Sequence, residues 1–164
     1  MPETSLEEIL RVLASSGADF VVIGGLALVL HGGDYLTYDV DVAHLRTRSN
    51  ARSLATALAP FHPRPVDWPE GLPFVWDEET VLRNTVLTLE TNIGRIDLLA
   101  EPPGAPAFTE LKAHAQILDL EGFQVHVASI DDLIAMKRAV GRPKDLAAVV
   151  ELQTLKTIDG HSDR

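Results

Sequence analysis

Residues 22–44, VIGGLALVLHGGDYLTYDVDVAH, join an apolar run to a glycine pair and then, thirteen residues on (26–38), to Asp39-Val40-Asp41. The run DFVVIG (19–24) is short, apolar and β-branched, which predicts a buried strand. Gly24-Gly25 end it, and LALVLHG reads as a short helix. YDVDVAH (38–44) alternates, and because residues i and i+2 of a strand share a face, Asp39 and Asp41 project together, opposite the valines. Paired carboxylates repel each other and resist burial unless a cation or hydrogen bonds compensate. A hard divalent ion such as Mg²⁺ (or Mn²⁺), which prefers oxygen ligands, supplies that compensation.

A third acid breaks the pattern in the same way. TVLTLETNIGRIDLLAE (85–101) predicts a hairpin turning around Asn92–Gly94. Asp97 stands between Ile96 and Leu98 in its second, otherwise apolar strand. One cation site explains all three acids. Gly24-Gly25 supply the other half, because a glycine pair between a strand and a helix lets backbone N–H groups approach a phosphate closely. Glycines for a triphosphate and three aspartates for one or two metal ions make a device for nucleotidyl transfer. In it the metals activate the attacking oxygen and stabilise the departing pyrophosphate.

The rest of the chain reads as a frame for this site. TSLEEILRVLASSG is an amphipathic helix with Leu6, Ile9, Leu10 and Leu13 on one face, Thr4 and Glu7 at capping-box spacing and Gly17 as its stop. SNARSLATALAPF predicts a second helix, capped by Ser49 or Asn50 and ending near Pro60. Residues 62–76 hold four prolines and two tryptophans and predict an irregular loop or edge segment, with Trp68 and Trp76 as core plugs. PPGAP (102–106) is a linker, and AQILDLEGFQVHVAS a second hairpin turning at Glu121-Gly122. SIDDLIAMKRAVG, capped by Ser129, and PKDLAAVVELQTL, with Pro143 in its first turn, close the chain as helices. Residues 1–154 form one domain on this reading, and the polar residues 155–164 a disordered tail. The fold class is α/β (α+β), a small mixed sheet flanked by helices.

Composition narrows the function. The 164 residues carry 14 Lys+Arg against 24 Asp+Glu and no cysteine. The formal charge of −10 argues against a bulk electrostatic grip on nucleic acid. A tRNA-type acceptor then needs a local basic cluster, such as HLRTRSNAR (44–52) or MKRAVGRPK (136–144). No apolar run reaches the ~18 residues of a membrane span, and the acidic N-terminus lacks the basic region of a signal peptide. Both point to the cytoplasm.

Ile23-Gly24-Gly25, Asp39-Val40-Asp41 and Ile96-Asp97-Leu98 together resemble the nucleotidyltransferase superfamily that includes DNA polymerase β. Gly24-Gly25-Leu26-Ala27, His31-Gly32 and Thr37-Tyr38-Asp39-Val40-Asp41 look similar to small bacterial nucleotidyltransferases. The tail LIAMKRAVGRPKDLAAVVEL resembles the helical end of that group and of toxin-type relatives from abortive-infection systems. The likeness runs over roughly residues 18–153. It implies the nucleotidyltransferase fold and an enzyme moving a nucleoside monophosphate from an NTP to an acceptor hydroxyl. Asp39, Asp41 and Asp97 would be the metal ligands and catalytic residues. Gly24 and Gly25 would hold the β- and γ-phosphates, with Lys137 and Lys144 as charge partners and Asp145 orienting one of those cations. The acceptor is left open between a small molecule, a protein and a tRNA end. Relatives often carry Arg two residues before the motif Thr, where this chain has Tyr35.

Plainer readings stand beside these. Asp39 and Asp41 suit a charged edge strand, Asp97 a turn acid paired with Arg95, and Gly24-Gly25 a simple strand-ending turn. Lys137 suits a solvated helix face and Asp145 a helix N-terminus. His31 reads as structural, and His44, three residues after Asp41, faces the other way. Alternatives to the enzyme are a non-catalytic nucleotide-binding or toxin–antitoxin partner module, or a domain whose aspartates never converge. So small a chain also points to a homodimer or a cognate protein partner that completes the acceptor site.

Overall fold

The structure, a computed structural model, describes residues 6–162. Helix α1 (Leu6–Ser15) buries Ile9, Leu10 and Leu13 and stops before Gly17, whose φ of +77° suits a residue without Cβ. Thr4, the proposed partner of Glu7, lies outside the described residues. Strand β1 (Phe20–Ile23) is buried throughout and leads directly into α2 (Gly24–Leu30). In β2 (Asp39–His44) the valines are buried and the two aspartates half-buried.

Helix α3 (Arg48–Leu58) is capped by Thr47, not by Ser49 or Asn50: the Thr47 hydroxyl accepts the Asn50 N–H at 3.2 Å. Asn50 is needed elsewhere. Its buried side chain accepts from the Asp19 N–H and donates to the Asp19 and Leu45 carbonyls, fastening the entry of β1 to the exit of β2. A 3₁₀ turn (Ala59–Phe61) follows, then the two-residue strand β3 (Arg64–Pro65). Next come α4 (Glu78–Arg83), capped by Asp77, and the hairpin of β4 (Val86–Thr91) and β5 (Gly94–Leu99). Helix α5 (Phe108–His114) leads to the second hairpin, β6 (Gln116–Leu120) and β7 (Phe123–Val127). Helix α6 (Ile130–Val140), capped by Ser129, turns at Gly141 into α7 (Pro143–Ser162). Residues 155–162, read from the sequence as a disordered tail, are the last two turns of α7.

Seven strands form one mixed sheet in the order β3-β4-β5-β2-β1-β7-β6. The hairpins and the β1–β2 pair are antiparallel, while β2–β5 and β1–β7 are parallel. Helix α1 packs on α3 and on β2, β5 and β7. Between them Ile9, Leu13, Leu54, Val40, Val42, Ile96 and Leu98 are wholly buried, each worth roughly 1.5–3 kcal/mol relative to exposure. That packing fixes which face of β2 and β5 turns inward, since a one-residue slip would bury the acids instead. The opposite face carries Asp39, Asp41 and Asp97. Among the described residues no helix is long and apolar enough to cross a membrane.

Candidate functional site

Parallel pairing of β2 with β5 sets Asp41 directly opposite Asp97, at the ~4.8 Å spacing of neighbouring strands. Asp41 and Asp97 therefore converge, which sets aside the reading of scattered acids for this pair, and β2 lies inside the sheet, which removes the edge-strand reading. Burial pushes the Asp41 carboxyl up to about 7; the charge and hydrogen bond of Asp97 and the charge of Asp39 add to this, and Lys137 opposes it. Burial raises Asp97 as well, against hydrogen bonds from Asp41 and Thr88. Two carboxyls that share a proton in this way are held at a cost that a cation would remove. Asp41 Oδ1 and Asp97 Oδ1 are both buried without a hydrogen-bond partner.

Asp39, two residues back on the same face, acts on both by charge. Among the described residues no three acidic, His or Cys side chains are gathered closely enough to hold an ion. The arrangement is a carboxylate pair with a third acid beside it. Such a pair, with inward oxygens lacking partners, fits a hard divalent cation.

The glycine pair is shaped by this group. Gly24 has φ +68°, and a Cβ there would lie 2.3 Å from Asp41 Oδ2. A Cβ on Gly25 would lie 2.6 Å from the Tyr35 ring and 3.3 Å from the Thr37 hydroxyl. Only bare backbone lets the start of α2 sit against Asp41. Beyond it opens a cleft of about 190 Å³ whose lining includes Gly25, Tyr35, Asp39, Asp41, Lys137 and Lys144.

Positive charge on the far wall is organised by Asp145, whose side chain is 1% exposed. It accepts from Arg142 Nε at 2.7 Å and from the Arg142 backbone N–H at 3.2 Å, and Lys137 Nζ lies 3.6 Å away. The hydrogen bonds from Arg142 hold the Asp145 carboxyl below its ordinary range. Arg142 and Tyr35 line the same cleft. A guanidinium from the α6–α7 turn thus shares the cleft with Tyr35.

Sequence reasoning left Arg142 out of the site; its spacing of three from Asp145, just before Pro143, was the available signal. It also missed Thr88, which lies opposite Asp97 on β4. Both histidines are structural. His31 Nε2 lies 2.7 Å from the Ala128 carbonyl oxygen, and His44 is buried in the core behind β2.

Toward the sheet edge lies a larger, more open hollow of about 730 Å³, bounded by β4, α4 and the loop after β3, with Thr88 in its wall but none of the three aspartates. Trp76 is the plug the sequence suggests, its indole N–H bound to the Ala55 carbonyl at 2.8 Å. Trp68 is not: it is 37% exposed and lines the hollow with Phe74, their ring centroids 5.0 Å apart.

This topology, with two strand acids in register beside a glycine-started helix, is the nucleotidyltransferase fold. The chain matches the crystal structure of a Thermotoga maritima protein taken to be a nucleotidyltransferase, with TM-score 0.55, 13% identity, and coverage of 98% of this chain and 96% of that one. It matches the antibiotic-resistance factor ANT(2'')-Ia with TM-score 0.55 and 14% identity over 96% of this chain and 83% of that one. A nucleotidyltransferase-like protein, an antigen of Paracoccidioides brasiliensis, gives TM-score 0.55 and 20% identity over 93% and 75%. At these identities the likeness is one of fold. No protein-family model and no curated protein matches the sequence.

Proposed function

We propose that the chain is a metal-dependent nucleotidyltransferase that moves a nucleoside monophosphate from an NTP to an acceptor hydroxyl. The observation that carries this reading is the Asp41–Asp97 pair: two half-buried carboxyls in register, each with one buried oxygen that has no hydrogen-bond partner, with Gly24 seated on one of them. Asp41 and Asp97, with Asp39 beside them, would hold Mg²⁺ or Mn²⁺. When bound, the ion would polarise the α-phosphate and lower the pKa of the acceptor hydroxyl. Backbone N–H groups at Gly24 and Gly25, with Lys137, Arg142 and Lys144, bind the β- and γ-phosphates. Arg142 supplies the charge that Tyr35 does not. Asp145 fixes Lys137 and Arg142 in place, so little ordering remains to be done when phosphate arrives. The acceptor oxygen bonds to the α-phosphorus as the bond to the bridging oxygen breaks. Pyrophosphate leaves with the electron pair, and Asp97 receives the acceptor proton. A cytoplasmic setting suits such an enzyme.

One observation favours a second reading, a non-catalytic nucleotide-binding or toxin–antitoxin partner module: Asp39 does not close a three-donor set with the pair. Transfer of α-³²P from labelled NTPs to small molecules, protein or tRNA in a cell extract separates the two. The enzyme reading requires labelling that Asp39→Ala and Asp97→Asn abolish; labelling undiminished in both variants would sink it.

A further inference from the structure

The cleft beside Asp39 and Asp41 is too small for a nucleotide as it stands. Its volume of about 190 Å³ lies below the ~300–1,000 Å³ of small-molecule sites. The side chain that narrows it is Tyr35. A Cβ on Gly25 would lie 2.6 Å from Tyr35 Cε1 and 3.0 Å from Cδ1, so the edge of the ring rests on the bare Cα of Gly25. The glycine therefore makes room for the tyrosine. A phosphate reaching the Gly25 backbone from the cleft has to take the place of that ring.

Tyr35 belongs to a segment held at few points. The Gly32 and Gly33 N–H groups close the end of α2 on the Val29 and Leu28 carbonyls, each at 2.9 Å, and β2 begins at Asp39. Between these ends, among the described residues, the backbone N–H groups of residues 35–37 have no backbone partner. The Asp34 N–H donates to Glu151 Oε1 of α7 at 2.7 Å, and the Thr37 hydroxyl donates to the Asp39 carbonyl at 3.2 Å. Tyr35 is already 47% exposed and Leu36 73%, so moving the segment outward uncovers little more apolar surface. Gly32, at φ +95° with open space around it, gives the segment a pivot. Segments with so few backbone bonds and so little buried surface open at low free energy.

We propose that residues 34–37 are a lid on the phosphate cleft, that the Tyr35 ring seated on Gly25 is its closed and autoinhibited position, and that the Asp34–Glu151 bond is its latch. The phosphates of a nucleotide enter only when the ring leaves. The apparent affinity is then the intrinsic affinity reduced by the fraction of chains that are open. The inference rests on the nucleotidyltransferase reading above, and its test keeps the two apart. The chain has two tyrosines, Tyr35 and Tyr38, so the full chain carrying 3-fluorotyrosine gives two ¹⁹F resonances, assigned with Tyr38→Phe. Each NTP with Mg²⁺ is titrated into this protein by NMR, and by calorimetry into the wild type, Tyr35→Ala, Glu151→Ala and Glu151→Gln. NTP is expected to move the Tyr35 resonance saturably toward that of free 3-fluorotyrosine and to leave Tyr38 in place. Tyr35→Ala should bind NTP about ten-fold more tightly, the factor for an open state about one-tenth populated. Glu151 is not among the residues lining the cleft. Glu151→Ala should nevertheless bind about three-fold more tightly than Glu151→Gln, which loses the same charge but keeps an acceptor for Asp34. NTP affinity unchanged or weakened in Tyr35→Ala, or a Tyr35 resonance unmoved while NTP binds, overturns the lid, and the nucleotide reading then stands. Equal affinities of the two Glu151 variants overturn the latch. No binding of any NTP by the wild type or by Tyr35→Ala overturns both the lid and the nucleotide reading.

Discussion

Two clefts flank the strands that carry the aspartates, one touching Asp39 and Asp41 and the other walled by β4, and they are built in opposite ways. The smaller, about 190 Å³, is walled by the start of α2 and the α6–α7 turn, and its cations are pinned by one buried carboxylate, Asp145. The larger, about 730 Å³, is walled by a proline-rich loop and the short α4, and its lining carries three acids against one arginine. The difference lies in rigidity as well as in sign. A phosphate-binding wall gains from charges ordered in advance, and helix ends tied to a buried acid provide them. A wall carried by a loop can alter without disturbing the core.

The largest test of this contrast falls where the start of α2 meets Asp41. Gly24→Ala would drive a Cβ to 2.3 Å from Asp41 Oδ2 and place alanine at φ +68°. The expected result is a destabilisation of roughly 1–3 kcal/mol in chemical denaturation. Loss of transfer by about 100-fold or more should accompany it, on the scale of removing one preorganised catalytic contact. Gly17→Ala, also at positive φ but with open space around it, should lower stability alone.

The carboxylate pair gives the next effect. Asp41 titrates at about 7 in the folded chain against an ordinary 3.8. The folded state therefore holds this proton more tightly, a stabilisation complete below 3.8 and lost as pH rises through about 7. In chelator, Tm should fall between about pH 4 and about pH 7 and level off above, a window set by the ordinary and the raised pKa. Asp41→Asn should flatten this slope, and Mg²⁺ should recover the loss at the alkaline end in the wild type only. Equal slopes in both proteins would mean that the pair is not strained.

The smallest effect compares the cationic wall with the loop. Arg142→Ala should raise KM for NTP about ten-fold, the scale of one charge-assisted hydrogen bond, whereas Asp67→Asn in the loop after β3 should leave it unchanged. Equal loss on both sides would erase the proposed division of labour.

How much of this was legible follows from what each feature depends on. Asp39, Asp41 and Asp97 showed in the sequence because each breaks an apolar strand pattern, and the hairpin turns at Asn92–Gly94 and Glu121-Gly122 were local. Arg142 was legible only as a partner of Asp145 three residues on; its place in the cleft with Tyr35 depends on how the left-handed Gly141, at φ +69°, folds α6 back on α7. Helices α4 and α5, of six and seven residues, are shorter than the 11–18 residues over which periodicity speaks. Thr47, Ser49 and Asn50 could each cap α3; only the tertiary need to fasten Asp19 and Leu45 takes Asn50 away. Trp68 and Trp76 look alike in a proline-rich run, and packing against α3 separates them.

The most direct test of the central claim, that the Asp41–Asp97 pair makes a metal-dependent nucleotide site, is calorimetric titration of each NTP into the wild type and into Asp41→Asn, with Mg²⁺ and with chelator. The account predicts binding of at least one NTP that needs Mg²⁺ and is lost in the variant. Binding of equal strength in chelator, or undiminished in Asp41→Asn, would contradict it.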